Sequence, residues 1–287
     1  MPREAYVNGR YVPHAQAAVH VEDRGYQFAD GVYEVVAIHG GALIDEDPHL
    51  DRLERSLTEL RIPMPMSRSA LKLIAREVIR RNGVRNGLVY MQVTRGVAPR
   101  DHKFPAGVRP SVVMTAREVK PHSAKMLAEG VAVVSVPDIR WARCDIKSVA
   151  LLPNVLAKQT AAEAGAQEAW QVDSDGMVTE GSSANVGIVT GDRKVVTRAA
   201  TSPILTGITR LALIQRLEAE GRALEERPFS LEEAKAAREA FMTSSSSYVL
   251  PVTRIDDSPI GNGHPGLLTN RLRQIYMDYM AGVGGAA

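Results

Sequence analysis

A single cysteine, Cys144, stands in this chain of 287 residues, so no disulfide can form within it. That fits a reducing compartment. The N-terminus runs from Pro2-Arg3-Glu4 into polar, strand-like sequence and has no apolar signal core. No window of about 18 apolar residues is present, so no transmembrane helix is expected. Both absences point to a cytoplasmic protein. No block of like charge is present either: 35 Lys and Arg face 33 Asp and Glu, a net charge of +2. Neither nucleic acid nor a membrane surface is indicated as partner. The seven histidines fall into no metal-ligand spacing, and Cys144 has no second thiol to join it. No Gly-x-Ser-x-Gly elbow occurs.

What is present is ample apolar material, 45% of the residues, enough to bury a core without covalent staples. Residues 5–12 and 15–21 read as short strands around the Asn8-Gly9 turn, and 31–38 as a strand closed by Gly40-Gly41. Residues 48–60 read as a helix with Leu50, Leu53, Leu57 and Leu60 at threes and fours. A second helix over 67–81 is capped by Ser67 and stopped by Asn82-Gly83. Residues 88–94 and 111–115 are strand-like. Further strands are expected at 131–136, 177–179, 184–189, 194–196, 240–243 and 249–255, and helices at 153–164, 206–220 and 265–280. Strands mixed with segregated helices predict a mixed α/β (α+β) fold. A composition shift with Pro121 inside it divides the chain into a small N-terminal α/β domain (1–117), a linker (118–124) and a large C-terminal domain (125–287).

Five local patterns can carry chemistry, and each has an ordinary reading beside it. Lys147 follows Trp141 and precedes the apolar run 149–152. Desolvation there would lower the amine's pKa, with Arg143 pushing the same way, and a deprotonated amine is what Schiff-base chemistry requires. Most lysines, however, are solvated charges. Thr179-Glu180-Gly181-Ser182-Ser183-Ala184-Asn185 reads as a polar turn, or as a carboxylate beside hydroxyls and backbone N–H groups. Leu205-Thr206-Gly207-Ile208-Thr209-Arg210 opens a helix. It fits a Thr-capped terminus with nothing bound, or an anion site approached past Gly207. Thr243-Ser244-Ser245-Ser246-Ser247 is a linker or a phosphate-binding loop at strand ends. Arg100 and His102 face one side of an extended loop, as a solvated basic pair or as a carboxylate trap.

Together these segments resemble one family. Glu22-Asp23-Arg24-Gly25-Tyr26-Gln27-Phe28-Ala29-Asp30-Gly31-Val32-Tyr33-Glu34-Val35-Val36 begins the likeness. It continues through Gln92-Val93-Thr94-Arg95-Gly96, Pro99-Arg100-Asp101-His102-Lys103-Phe104-Pro105, Asp138-Ile139-Arg140-Trp141, Cys144-Asp145-Ile146-Lys147-Ser148 and Asn154-Val155-Leu156-Ala157-Lys158-Gln159. The ordered set, completed by residues 179–185 and 205–210, resembles the class-IV pyridoxal-phosphate aminotransferases, and within them the D-amino-acid branch. The resemblance covers nearly the whole chain.

It implies a two-domain fold-type IV enzyme with pyridoxal 5'-phosphate between the domains. Lys147 looks like the lysine that carries the cofactor as a Schiff base, and Glu180 like the carboxylate on the pyridine nitrogen. Arg52, in Pro48-His49-Leu50-Asp51-Arg52-Leu53, looks like the arginine on the phosphate. Ile208 and Thr209 look like its backbone N–H donors, and Ser245 like a hydroxyl donor. Leu205 looks like the apolar residue against the ring, with Ser183, Gly207 and Ser244 as further cofactor contacts. Tyr33, Arg100 and His102 look like the trap for the substrate α-carboxylate, with Val35 beside them. In the family the arginine and histidine come from the partner subunit, so a homodimer is implied. The implied reaction is ping-pong transfer of an amino group between D-amino acids and 2-oxo acids, D-alanine with 2-oxoglutarate being the type. Transfer from branched-chain L-amino acids or (R)-amines, or aminodeoxychorismate lysis, are the other activities of this fold. The chain departs from the pattern at Ala37, Val97-Ala98, Asp101 and the serine-rich 243–247, which bears on side-chain range and amine acceptance.

Overall fold

The computed structural model describes residues 3–221 and 224–284. In chain order the elements are β1 (Glu4–Val7), β2 (Arg10–Pro13), α1 (Arg24–Phe28), β3 (Gly31–His39), β4 (Ala42–Leu43), α2 (Glu46–Glu59), α3 (Arg68–Asn82), β5 (Gly87–Thr94) and β6 (Ser111–Glu118). Then come α4 (Ala124–Glu129), β7 (Val131–Pro137), α5 (Leu152–Glu163), β8 (Glu168–Val172), β9 (Val178–Gly181), β10 (Asn185–Val189), β11 (Val195–Thr197) and α6 (Ile208–Ala219). The chain closes with β12 (Leu224–Glu226), α7 (Leu231–Lys235), β13 (Glu239–Ser244), β14 (Tyr248–Ile255), β15 (Ser258–Pro259) and α8 (Leu267–Gly284). Among the described residues, no helix is long and apolar enough to cross a membrane.

Two compact units emerge. The first comprises residues 1–120, 146–150 and 280–287, and the second residues 121–145 and 151–279. In the first, an antiparallel sheet in the order β2-β1-β6-β5-β3-β4 carries α2 and α3 on one face. Period-2 alternation places Val32, Ile38, Val89, Met91, Val93, Val112 and Met114 in its core, where they meet Leu50, Leu53, Leu57, Leu71 and Val78 from the helices. Ser67 caps α3 by accepting from Ala70 N–H, and Gly83 ends it with φ +62°, a left-handed conformation that costs glycine nothing.

β4 pairs only with the end of β3, leaving the start of that strand open on one side. Residues 147–149 fill the place. Tyr33 N–H donates to Lys147 C=O at 3.0 Å, Val149 N–H to Gly31 C=O at 3.0 Å, and Val32 bridges Ser148. Ile146 joins the first unit's core. The division therefore differs from the contiguous one expected from composition: the Lys147 segment leaves the 125–287 stretch because it completes a distant strand edge. The expected strand over 15–21 is likewise replaced by a short 3-10 turn over His14–Gln16 and irregular chain, since no partner strand pairs with it.

The second unit is a mixed nine-stranded sheet, β12-β11-β10-β13-β14-β7-β8-β9, with β15 beside β14. β9 lies at one edge, yet the short turn 182–184 joins it to β10 near the other, with Gly181 N–H donating to Ala184 C=O at 2.7 Å. Such a short link requires the sheet to curl back on itself. Trp170, Val178, Val186, Ile188, Met242 and Leu250 fill its core. β8 is an element the sequence does not announce, because Glu168 and Gln171 interrupt its apolar pattern.

Candidate active site

On one face of the first unit's sheet, Lys147 is half-buried and its Nζ lies 4.3 Å from the centroid of the Tyr33 ring. Its backbone N–H donates to Ser56 Oγ at 3.3 Å. The β3–β5 register sets Tyr33 opposite Gln92 and Val35 opposite Tyr90, so all four side chains share this face. The Tyr33 and Tyr90 rings are 5.7 Å apart, and Tyr90 donates its phenolic proton to Gln92 Oε1 at 2.6 Å. Burial, with Tyr33 adding, pushes the Tyr90 phenol up to about 12, so it stays a donor at neutral pH.

The other face of β3 holds a group the sequence reading missed. Glu34 sits in the apolar row Val32, Val36, Ile38 and is 1% exposed. It accepts from Arg52 Nε at 2.8 Å and Nη2 at 2.7 Å, and from His49 Nδ1 at 2.7 Å. Burial opposes its charge, but the Arg52 charge and the hydrogen bonds from Arg52 and His49 win, holding its pKa at about 2. Burial lowers the His49 pKa despite Glu34, with Arg52 and Lys147 pressing the same way. His49 is thus neutral at neutral pH, with its proton on Nδ1 toward the carboxylate. Arg52, expected on a phosphate, is held by this bidentate pair. A carboxylate at an inward position of β3 was the available signal.

Arg100 and His102 do converge, but on Phe28. The guanidinium is 5.0 Å from the ring centroid and the imidazole 5.4 Å. Both residues are exposed. Tyr33 packs instead with Tyr90 and Lys147, so the structure gives the expected trap as two separate clusters.

In the second unit, Glu180 is buried at the end of β9. Its carboxylate accepts from Arg140 Nη1 in a close ion pair, from Asn185 Nδ2 at 2.9 Å, and from Leu205 N–H at 3.2 Å. Arg140 also donates to Asp138, Thr179 Oγ1 and Pro203 C=O. Burial works against its charge, yet the two carboxylates prevail and its pKa is raised. Arg140→Ala is expected to destabilise the fold by about 3–5 kcal/mol, because it strands buried carboxylates; denaturant unfolding measures it. Arg143, expected to press on Lys147, donates to Asp145 at 3.0 Å.

Asn185 ties this cluster to the next helix, donating to Leu205 C=O at 2.8 Å. A Cβ on Gly207 would lie 1.9 Å from Asn185 Oδ1, so only glycine fits there. Gly207, and not Thr206, is the N-cap of α6, and no side chain caps it. The first amides, those of Ile208 and Thr209, lack intrahelical acceptors and carry the positive end of the helix dipole. In the serine run, Ser244 Oγ accepts from Ser247 N–H at 3.0 Å and meets Ser246 Oγ at 3.2 Å, shaping a turn that carries Ser245. Ser182 and Ser183 hydroxyls both donate to Glu168. Among the described residues no cluster of His, Cys, Asp and Glu is placed to hold a metal ion.

Residues 31–255 match the amino-transferase class IV family. The chain belongs to the class IV aminotransferases.

The relatives agree along the length of this class IV aminotransferase. It is 43% identical over 267 residues to a D-alanine aminotransferase of Bacillus licheniformis, covering 93% of each chain. It is 38% identical to a D-alanine aminotransferase of Listeria monocytogenes, covering 95% of this chain and 94% of the other. Among solved structures, the branched-chain amino acid aminotransferase from Escherichia coli superposes with a TM-score of 0.89 at 25% identity, covering 98% of this chain and 95% of that one. A T.th. branched-chain amino acid aminotransferase with pyridoxamine 5'-phosphate superposes with a TM-score of 0.90 at 26% identity, covering the same shares, 98% and 95%. Each unit by itself has residues that suit such a group: in the first, an amine under an aromatic face; in the second, a carboxylate held by Arg140, Asn185 and Leu205, and an uncapped helix N-terminus that suits a phosphate.

Proposed function

We propose that this class IV aminotransferase moves an amino group between D-amino acids and 2-oxo acids in the cytoplasm, D-alanine with 2-oxoglutarate being the type pair, with pyridoxal 5'-phosphate as cofactor. The 43% identity to a D-alanine aminotransferase across 93% of both chains carries the substrate assignment. The uncapped α6 terminus and the caged Glu180 support the cofactor.

When bound, pyridoxal phosphate supplies an aldehyde for the amino nitrogen and a ring that takes up the electron pair left at Cα. Lys147 would hold it through Nζ, and as a free amine would take up and return the substrate's Cα proton, as base and then acid. Glu180, kept in place by Arg140, Asn185 and Leu205, would accept a hydrogen bond from the pyridine nitrogen and favour its protonated form. Arg52, braced by Glu34, and the amides of Ile208 and Thr209 hold the phosphate, with Ser245 as hydroxyl donor. Ser183, Gly207 and Ser244 shape the surrounding turns, and Leu205 would pack against the ring.

Tyr33, Arg100 and His102 bind the α-carboxylate, with Val35 at the side-chain wall. Arg100 and His102 belong to the partner's site in a homodimer; their separation from Tyr33 supports this, as does the exposed apolar row Leu152, Val155 and Leu156 on α5. Arg100→Ala is expected to raise KM for D-amino acids by roughly 10- to 100-fold, the worth of one or two charge-assisted hydrogen bonds. Simple amines, lacking the carboxylate, escape the effect. Mixing that variant with Lys147→Ala should restore turnover through hybrid dimers, since one pairing of subunits has both groups intact; no regain would place Arg100 in its own chain's site.

The likeness to branched-chain aminotransferases favours one alternative, transfer from L-amino acids. Coupled assays with D-alanine, L-leucine and (R)-1-phenylethylamine separate the readings. Activity on L-leucine alone would overturn the D-specific one. Pyruvate released from aminodeoxychorismate without an amino acceptor would make the protein a lyase.

A further inference from the structure

Glu168, the first residue of β8, is 2% exposed and has no part in the chemistry above. A buried carboxylate needs donors. Ser182 Oγ–H donates to Oε1 at close range, Ser183 Oγ–H to Oε2 at 2.6 Å, and Ala169 N–H to Oε1 at 2.9 Å. Lys158 Nζ lies 3.4 Å from Oε2. A hydroxyl has one proton, and an ionised carboxylate only accepts. Both serine protons are therefore committed to Glu168, and towards a phosphate, which also only accepts, Ser183 Oγ presents lone pairs.

The turn has other donors. Gly181 N–H is taken by Ala184 C=O and Ser182 N–H by Ala169 C=O. Among the described residues, the next two amides, those of Ser183 and Ala184, meet no acceptor. Asn154 Nδ2 pins the turn from outside by donating to Ser182 C=O at 2.9 Å. Consecutive amides of this kind form an anion nest.

We infer that Glu168 is a positioning residue for the cofactor phosphate: by drawing both hydroxyls inward it makes this turn an amide donor, so Ser183 serves through its N–H and not its hydroxyl. The inference rests on the pyridoxal-phosphate reading. A phosphate hydrogen bond lost from Ser183 Oγ would weaken binding by roughly 10- to 100-fold. Ser183→Ala is instead expected to leave the dissociation constant for pyridoxal phosphate within about threefold while lowering the unfolding midpoint by several degrees. Glu168→Gln, which turns one acceptor into a donor and so loosens the turn that aligns the two amides, is expected to weaken pyridoxal phosphate roughly tenfold and pyridoxal, without the phosphate, not at all. A large loss of affinity in Ser183→Ala at unchanged midpoint, or equal effects of Glu168→Gln on both ligands, would overturn the inference. Should the native protein bind no pyridoxal phosphate, the functional reading falls. A double-mutant cycle on unfolding of Glu168→Gln and Ser183→Ala then still decides: strong coupling keeps the hydroxyl commitment, and additivity removes it.

Discussion

Lys147→Ala is expected to abolish transamination, lowering kcat by more than about 10⁴-fold, because the proposed chemistry asks one amine to be both covalent anchor and proton carrier. Lys147 is fixed at its backbone by Tyr33 and Ser56, on the edge of β3, and its Nζ lies over an aromatic ring. Removing it leaves the strand edge intact, since the anchoring bonds are made by main-chain groups. The variant should therefore fold with an unchanged unfolding midpoint and still hold cofactor through the phosphate contacts, but without a covalent link. Lys147→Arg keeps charge and cannot form that link, so it should be as inactive. Single-turnover assays with D-alanine measure the loss, and retained turnover would remove Lys147 from the chemistry.

Glu34→Gln has the second largest expected effect, and it acts on stability first. The amide cannot offset the Arg52 charge, so a buried guanidinium loses its countercharge, at a cost of about 3–5 kcal/mol. The pH dependence of the native protein reports the same group. With a folded-state pKa of about 2 against an ordinary 4.5, Glu34 contributes about 3 kcal/mol. That contribution is complete above the unfolded value and is lost as pH falls through the folded one. His49 acts in the same direction at higher pH. Its pKa is lowered from 6.5, so below that value the unfolded chain takes up a proton that the folded chain refuses. Stability is expected to fall in two stages on acidification, near His49's ordinary range and then between the two Glu34 values. Glu34→Gln should lose the second stage and weaken cofactor retention through Arg52. Denaturant titrations across that range measure both.

These groups differ in how far the sequence declares them. The periodicities of α2 and α3, the Ser67 cap and the Gly83 stop are local signals, and local geometry honours them. Residues 15–21 have the composition of a strand but no partner to pair with, and strands exist only in pairs. α6 is capped at Gly207 and not at Thr206, and there Asn185, distant in sequence, leaves no room for a Cβ. Lys147, Glu180 and Arg52 are nameable from the resemblance, which preserves their order. Their supports, Glu34, His49, Arg140, Asn185 and Glu168, are not, because each is defined by what it meets across the fold. A carboxylate in an inward row, as at Glu34 in β3, is the one such signal legible in advance.

The most direct test is borohydride reduction of the protein loaded with pyridoxal phosphate, followed by peptide mapping by mass spectrometry. The pyridoxyl group is predicted on Lys147, and on no other lysine. A label elsewhere, or none at all, would contradict the assignment on which the chemistry depends.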